Sequence, residues 1–219
     1  AIFEQYMPRF AGDILPQQEI GRALSLADKL DNLAATFLRG LIPTGSQDPF
    51  ALRRQTIGAV NILTDGKIHW DIRRGIEAAL ALLPGDEETK KTVLSQIEDF
   101  FRQRIKAIML DEGIAYDIID AVLAGPVDDI YALFLKARSM AESQLKDEAE
   151  LRQAVTRLAN ITKGKTGGKV DPSLFTEDVE KKLQDAFEAV SAKALPLFAS
   201  YEYGKALPAL KELTAPIND

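Results

Sequence analysis

The chain has 219 residues, of which 46% are apolar and 27% charged, enough for one large or two modest domains with a hydrophobic core. Its 33 acidic and 27 basic side chains give a formal net charge of −6, which argues against a uniformly basic coat for nucleic acid but permits a local basic patch. The absence of cysteine excludes disulfides, thiolate nucleophiles and zinc sites with sulfur ligands.

The sequence carries no signal for a membrane or for export. It has no run of 18 apolar residues, and the opening AIFEQYMPRF lacks the basic flank and apolar centre of a signal peptide. We therefore expect a soluble, cytoplasmic protein. The first residues read as a helix already under way, and the chain ends at TAPIND without a capping or tail composition, so we expect a piece of a longer protein.

Apolar residues recur at helical spacing along almost the whole chain, and the alternation typical of strands is absent. The sequence therefore predicts an all-α, multi-helical fold. The predicted helices span 19–38, 49–65, 68–83, 87–110, 115–123, 127–143, 147–162 and 176–195, with a last helix after a tight turn at Gly204. Pro196 is expected to kink or end the helix that precedes it.

Two helix starts carry specific expectations. In the first helix the predicted buried face consists of Ile20, Ala23, Leu24, Ala27, Leu30, Ala34, Phe37 and Leu38. In the second, Asp48 is predicted to be the N-cap and Pro49 the first helical residue, with Phe50 and Leu52 as apolar anchors.

Most isolated motifs favour ordinary structural roles. His69 is the only histidine, and it cannot form a His-rich metal site. Asp28 with Asp31, or Asp117 with Asp120, lie one helical turn apart, but solvated acidic faces are common on helices. The string GKTGGK resembles the end of a phosphate-binding loop, yet it lacks the upstream glycine and strand, so the nucleotide interpretation fails.

One basic segment stands out in this acidic chain. Between positions 150 and 169 the only acid is Glu150, and the segment carries Arg152, Arg157, Lys163, Lys165 and Lys169. Such a stripe suits contact with a phosphate backbone. A solvated helix end with lysines that complement the helix dipole is an equal alternative. Tyr201 and Tyr203, near Phe198, are candidates for stacking on unpaired bases, although a core role is favoured.

Longer strings identify a family resemblance over essentially the whole chain. These strings, in order, are YMPRFAGDILP, ALSLADKLDNLAATF, PTGSQDPFALRRQTIGAVNIL, DEGIAYDIIDAVLA, LRQAVTRLANITKG and VDPSLFTEDVEKKLQDAF. Their order and spacing closely resemble the β subunit of the bacterial two-subunit glycyl-tRNA synthetase. The resemblance implies an aminoacyl-tRNA ligase that works on glycine tRNA together with an α subunit in an α2β2 assembly.

The resemblance also implies a position and a domain plan. The chain resembles a C-terminal portion of the β subunit, with residues 1–65 as the end of an HD-type helical domain and 66–144 as a helical body. Residues 145–219 resemble a truncated, DALR-like anticodon-binding domain of the kind found in arginyl-tRNA synthetase. HD domains hold metal with histidines and aspartates, of which Asp28 matches only the last aspartate, so phosphohydrolase activity is not expected.

By this resemblance the fragment is catalytically inactive and holds no cofactor, because ATP and magnesium belong to the α subunit. Its expected role is to position tRNA, with phosphate contacts from Arg152, Arg157, Lys163, Lys165 and Lys169 and with Asn160 as a polar reader. Arg53 and Arg54 are expected to pair with acidic side chains of the chain itself, or else to face the acceptor arm. Two rival classes stay open: an inactive HD phosphohydrolase remnant, and a helical interaction module without RNA contact.

Overall fold

The structure, a computed structural model, describes residues 1–45, 47–143, 149–168 and 170–218. It is 70% helical, and no strand occurs in these ranges, so the predicted all-α, multi-helical class is confirmed. The helices are α1 (Glu19–Leu38), α2 (Leu52–Asp65), α3 (Ile72–Ala81), α4 (Glu87–Asp111), α5 (Tyr116–Leu123), α6 (Ile130–Glu142), α7 (Ala149–Thr162), α8 (Asp178–Ala199), α9 (Tyr203–Ala209) and α10 (Thr214–Asn218).

The chain forms two compact units, Ala1–Ala137 and Arg138–Asp219. In the first unit α1 packs against α2, α3 and α4, and α4 also contacts α2, α3 and α5. In the second unit α8 packs against α9 and α10, and α10 also contacts α7. The resemblance predicts three domains, with limits between residues 65 and 66 and between residues 144 and 145. These domain limits stay a prediction.

The hydrophobic core of the first unit is built from large side chains. Leu33 on α1, Leu63 on α2 and Phe101 on α4 are fully buried, and the rings of Phe37 and Phe100 meet edge to face with their centroids 5.2 Å apart. In the second unit the buried apolar residues are Ala154, Val190, Ala194, Tyr203 and Ala206. The described part of the second unit therefore has a smaller apolar core.

Local side-chain chemistry explains where several helices begin. Asp86 precedes α4, and its carboxylate accepts the backbone N–H of Thr89 at 2.8 Å. At α8 the carboxylate of Glu180 accepts the backbone N–H groups of Thr176 and Glu177, at 2.7 and 2.9 Å. In each case an acidic side chain satisfies donors that have no partner inside the helix.

Four predicted helix starts come two to four residues too early, those of α2, α3, α6 and α8. Helix α2 begins at Leu52 rather than Pro49, and its N-cap residue is Ala51, at a positive φ of 54°, rather than the predicted Asp48. The Asp48 carboxylate nevertheless accepts the N–H groups of Leu52 at 2.8 Å and Arg53 at 3.0 Å. Helix α3 begins at Ile72 rather than at residue 68, because Asp71 serves as its N-cap and accepts the N–H of Arg74 at 3.2 Å.

The expectation of a helix under way at the first residue is wrong. Residues 1–18 contain only a short 3₁₀ turn, Glu4–Tyr6, because Pro8 and Pro16 cannot continue a helix and Gly12 lies at a φ of 80°. Two predictions near the C-terminus are also wrong: that Pro196 ends the helix that precedes it, and that the tight turn lies at Gly204. Helix α8 continues through Pro196 to Ala199, and the last turn lies at Tyr201, at a φ of 61°, rather than at Gly204.

The predicted buried face of α1 is correct only in its second half. Leu30, Ala34 and Phe37 are buried, but Ile20 and Leu24 are 71% and 36% exposed, and Ala23 and Ala27 are exposed too. The first three turns instead bury Gly21, Ser25, Leu26 and Lys29. Leu24, Ala23 and Ala27 line an apolar groove of about 960 Å³ that also contacts Trp70 and Leu82.

Candidate nucleic-acid interface

Helix α7 brings three of the predicted RNA-contacting residues onto one face. At 3.6 residues per turn, Arg152, Asn160 and Arg157 lie within about 140° of the helix circumference. They line a shallow groove along the helix together with Gln153 and Thr156, and all five residues are exposed. The opposite side of α7 is apolar and only partly covered: Ala154 is fully buried, whereas Val155 and Ile161 are each 55% exposed.

Gln153 and Thr156 were missed by motif reasoning, although helical spacing identifies them. Each lies four residues before a predicted member of the groove, Arg157 and Asn160 respectively. The Thr156 hydroxyl donates to the carbonyl oxygen of Arg152 at 2.7 Å, so this group is engaged by its own helix. Gln153 adds an amide that can both donate and accept hydrogen bonds.

Arg157 has an additional structural role. One of its Nη atoms donates to the carbonyl oxygen of Asn218 at 3.0 Å and lies 3.5 Å from that of Ile217. These carbonyls belong to the last residues of α10, where a positive charge is favourable. Arg157 therefore ties α10 to α7, and its guanidinium is only partly available to a ligand.

The predicted lysines lie beyond the end of α7. Lys163 directly follows the last helical residue, and Gly164 adopts a φ of 73°, as is common where a helix ends. The backbone N–H of Lys165 donates to the carbonyl of Thr162 at 2.9 Å, which turns the chain back over the helix end. Both lysine side chains are exposed, and Lys169 lies outside the described residues.

The aromatic candidates lie at the start of α9. Tyr203 is buried and Tyr201 is 36% exposed, and their ring centroids are 6.4 Å apart. The Phe198 ring lies 6.1 Å from that of Tyr203. The favoured core role is confirmed for Tyr203, whereas Tyr201 presents part of its ring to solvent.

In the stretch TGSQDPFALRR, whose Ser46 lies outside the described residues, the last three residues begin helix α2. Arg53 donates to the carbonyl oxygen of Gly45 at 2.8 Å, and Arg54 donates to that of Arg9 at 3.2 Å. Among the described contacts both guanidinium groups bind carbonyl oxygens of the chain itself, so the pairing within the chain is with backbone oxygens rather than with acidic side chains. Of the two predicted anchors, Leu52 is fully buried and Phe50 is 49% exposed, so only Leu52 packs in the core.

His69 and Asp28 have structural partners. The Nδ1 atom of His69 lies 2.8 Å from a carboxylate oxygen of Asp129, whose other oxygen accepts the N–H of Ala132 at the start of α6. Asp28 accepts a hydrogen bond from the Gln5 amide at 3.2 Å. The described part of the chain contains no group of three or more His, Asp or Glu side chains that could hold a metal ion.

No helix within the described ranges is both long and apolar enough to cross a membrane.

The carboxylates of Asp28 and Asp120 have different neighbouring side chains. Asp120 accepts from the Lys106 ammonium at 2.7 Å, and that contact raises the pKa of Lys106. One member of each acidic pair singled out in the sequence, Asp28 and Asp120, is therefore engaged by a neighbouring side chain.

The comparisons with known proteins agree on one family. Residues 1–124 match the family described as glycyl-tRNA synthetase beta subunit. Proteins named glycine–tRNA ligase beta subunit are 42% identical over 220 residues in Clostridioides difficile (strain 630), 36% over 222 residues in Desulforamulus reducens and 38% over 223 residues in Shouchella clausii. Each comparison covers the whole of this chain and 32% of the relative.

The chain thus spans about a third of the length of these curated relatives. The matches do not support the expected placement in the C-terminal portion, nor the assignment of residues 1–65 to the end of an HD-type domain. The family match runs across the predicted limit at 65/66, and the first compact unit does so as well. More than half of the chain matches this one family, and the chain therefore belongs to the glycyl-tRNA synthetase β-subunit family.

Proposed function

We propose that this chain is a tRNA-positioning part of the β subunit of a glycine–tRNA ligase, which attaches glycine to its tRNA in the cytoplasm. In this proposal an α subunit binds ATP and magnesium and carries out activation and transfer. The fragment itself is catalytically inactive and contributes affinity and register. The family membership supports the ligase role, and the second compact unit supplies the surface proposed for tRNA.

The observation that carries this proposal is the polar face of α7 with the lysines that follow it. Arg152, Asn160, Lys163 and Lys165 are exposed, and no ion pair is formed by the three basic side chains among the described residues. Cations without carboxylate partners can exchange their counterions for RNA phosphates, which makes affinity depend on salt. The amides of Asn160 and Gln153 are suited to base edges in an unpaired loop.

We further propose that residues 145–219 take part in recognising the anticodon region. Single-stranded loops are held by stacking and by hydrogen bonds to base edges, while phosphate contacts fix the register. The amide groups on the polar face of α7 can form the hydrogen bonds to base edges, and its guanidinium groups can form the phosphate contacts. The partly exposed ring of Tyr201 is a candidate for stacking.

The test is tRNA affinity over a salt series, measured by fluorescence anisotropy with labelled glycine tRNA. Lys163→Ala with Lys165→Ala should weaken binding and lower the slope of log affinity against log salt by about 1.4 to 1.8. The matched control is Lys181→Ala with Lys182→Ala, two exposed lysines on α8. If both double variants behave alike, the lysines that follow α7 do not contact the phosphates.

A helical interaction module is the second candidate function, and the apolar groove lined by α1 and α3 favours it. Leu24 is 36% exposed and Leu82 is 83% exposed, and both line the groove. Apolar surface of this kind marks contact with another protein surface. A chain with this role alone would show no difference in affinity between glycine tRNA and an unrelated RNA in the same titration.

A further inference from the structure

We propose that a small pocket in the first compact unit holds one unpaired nucleotide of an RNA, with its phosphate on Arg54. The pocket has a volume of about 370 Å³ and is lined by residues of the N-terminal segment, α1 and the start of α2. Pockets of about 300 Å³ and above are of the size that holds small ligands. The site is separate from α7, so its test does not depend on the lysines tested above.

Charge favours a phosphate at this site. Among the lining residues Arg9 is neutralised by Asp13, with an Nε to carboxylate distance of 2.8 Å. Lys29 and Arg54 remain as cations against the single lining carboxylate of Asp28. One positive charge is therefore left over, and Arg54 carries it at the exposed mouth of the pocket.

Arg54 also has hydrogen-bonding capacity to spare. Of its five N–H donors, one is used on the carbonyl oxygen of Arg9, at 3.2 Å. A planar guanidinium with adjacent donors matches two phosphate oxygens at once. Because its one described contact anchors it beside the N-terminal segment, the side chain is held over the pocket rather than extended into solvent.

The floor of the pocket is a rigid polar cluster. Lys29 is 4% exposed, and its ammonium donates to the Met7 carbonyl at 2.8 Å and to the Ser25 hydroxyl at 2.7 Å. The Ser25 hydroxyl in turn donates to the same carbonyl at 2.6 Å. These bonds tie the N-terminal segment to α1 and fix the wall against which a ligand would lie.

The remaining lining groups suit a nucleobase. Gln55 and Asn32 provide amides, and the Gln55 Oε1 atom is buried without a hydrogen-bond partner in the described part of the chain. A buried acceptor without a donor is costly, and rotation of the Gln55 amide toward the pocket on binding would let an exocyclic amino group of a base donate to it. Tyr6 lies at the edge with 64% of its surface exposed, where its ring can stack on a base.

The test is isothermal titration calorimetry of the whole chain with AMP, CMP, GMP and UMP, and separately with inorganic phosphate. We expect at least one mononucleotide to bind more tightly than phosphate, and Arg54→Gln to weaken that binding roughly tenfold. Arg39→Gln removes the same charge from an exposed site outside the pocket and should have no effect. Gln55→Met should weaken the mononucleotide while leaving phosphate binding unchanged.

A short single-stranded oligoribonucleotide distinguishes a free nucleotide site from an RNA site. If the oligomer competes with the bound mononucleotide and loses affinity in Arg54→Gln, the pocket takes a nucleotide within RNA. Three results would overturn the inference: no mononucleotide binds, phosphate alone binds as well as any mononucleotide, or the oligomer fails to compete. Far-ultraviolet circular dichroism of each variant confirms that it is folded.

Discussion

At the scale of single residues, the buried lysine of α1 is the most unusual group in the chain. Lys29 lies on the buried face that packs against the N-terminal segment, and burial lowers its pKa below the ordinary value of 10.5, while the charge of Asp28 partly opposes this shift. Its two hydrogen-bonding partners are the backbone carbonyl of Met7 and the hydroxyl of Ser25, so the sequence pattern alone gave no reason to expect it inside.

The lowered pKa of Lys29 predicts a specific pH dependence of stability. Below its pKa in the folded protein, Lys29 is protonated in both the folded and unfolded states, and the stability difference from Lys29→Met is constant. Between that pKa and 10.5 the unfolded chain binds more protons, so the wild-type stability rises relative to the variant as the pH increases.

Urea unfolding of both proteins from pH 7 to pH 10 measures this difference. We expect the free energy of unfolding of the wild type, minus that of Lys29→Met, to increase toward the alkaline end. A difference that falls with pH, or that stays constant over the whole range, would contradict the assignment of a desolvated ammonium.

Asp48 carries a second prediction at this scale. Its carboxylate accepts the N–H groups of Leu52 and Arg53, so Asp48→Ala leaves the first turn of α2 without a cap and should lower the free energy of unfolding by about 1 to 2 kcal/mol. Asp65→Ala, at the other end of the same helix, is the control and should change stability by less than about 0.5 kcal/mol. Equal losses in urea titrations of the two variants would rule out the capping role.

At the scale of helices, periodicity predicts which segments are helical, but not which side of each helix is buried. In α1 the apolar residues occupy two faces, one in the core and one along the apolar groove, and only packing distinguishes Leu30 from Leu24. Helix starts depend on individual hydrogen bonds, such as those of Asp48 and Asp71, which displace the start by three or four residues from the nearest proline or apolar residue.

In the candidate interface, too, residue spacing predicts one part of the geometry and does not predict another. Arg152, Asn160 and Arg157 share one face of α7 because of their spacing, and the sequence is sufficient to predict this. The contact of Arg157 with the carbonyls of α10 joins residues about sixty positions apart, so no local sequence pattern predicts it.

That contact leads to a prediction for α10. Arg157→Met removes the cation from the carbonyl end of α10, so the backbone amides of residues 214–218 should exchange with deuterium faster. Arg152→Met, on the same face of α7, is the matched control and should leave the exchange of these amides unchanged. The same rate in both variants would mean that α10 is held by its apolar contacts alone.

At the scale of the whole molecule, the two compact units differ in the size of their cores. The large, fully buried side chains, including Phe101, Phe134 and Met109, all belong to residues 1–137. The described part of the second unit buries mainly alanines. Since buried apolar area supplies most of the free energy of folding, the first unit should be the more stable one.

Hydrogen exchange on the whole chain tests this difference. We expect amides in α4 to be protected far more strongly than amides in α8, although both are long helices, because α4 lies among large buried side chains. Equal protection in the two helices would show that the chain unfolds as one cooperative block. The sequence does not predict this contrast, because apolar residues are frequent in both units.

The central claim is that this chain contacts glycine tRNA through its second unit. The most direct measurement is the affinity of the chain for labelled glycine tRNA across a salt series, compared with the same tRNA carrying an altered anticodon. We predict salt-sensitive binding that is tighter for the unaltered tRNA. Equal affinity for the two tRNAs at every salt concentration, or no binding at low salt, would contradict the claim.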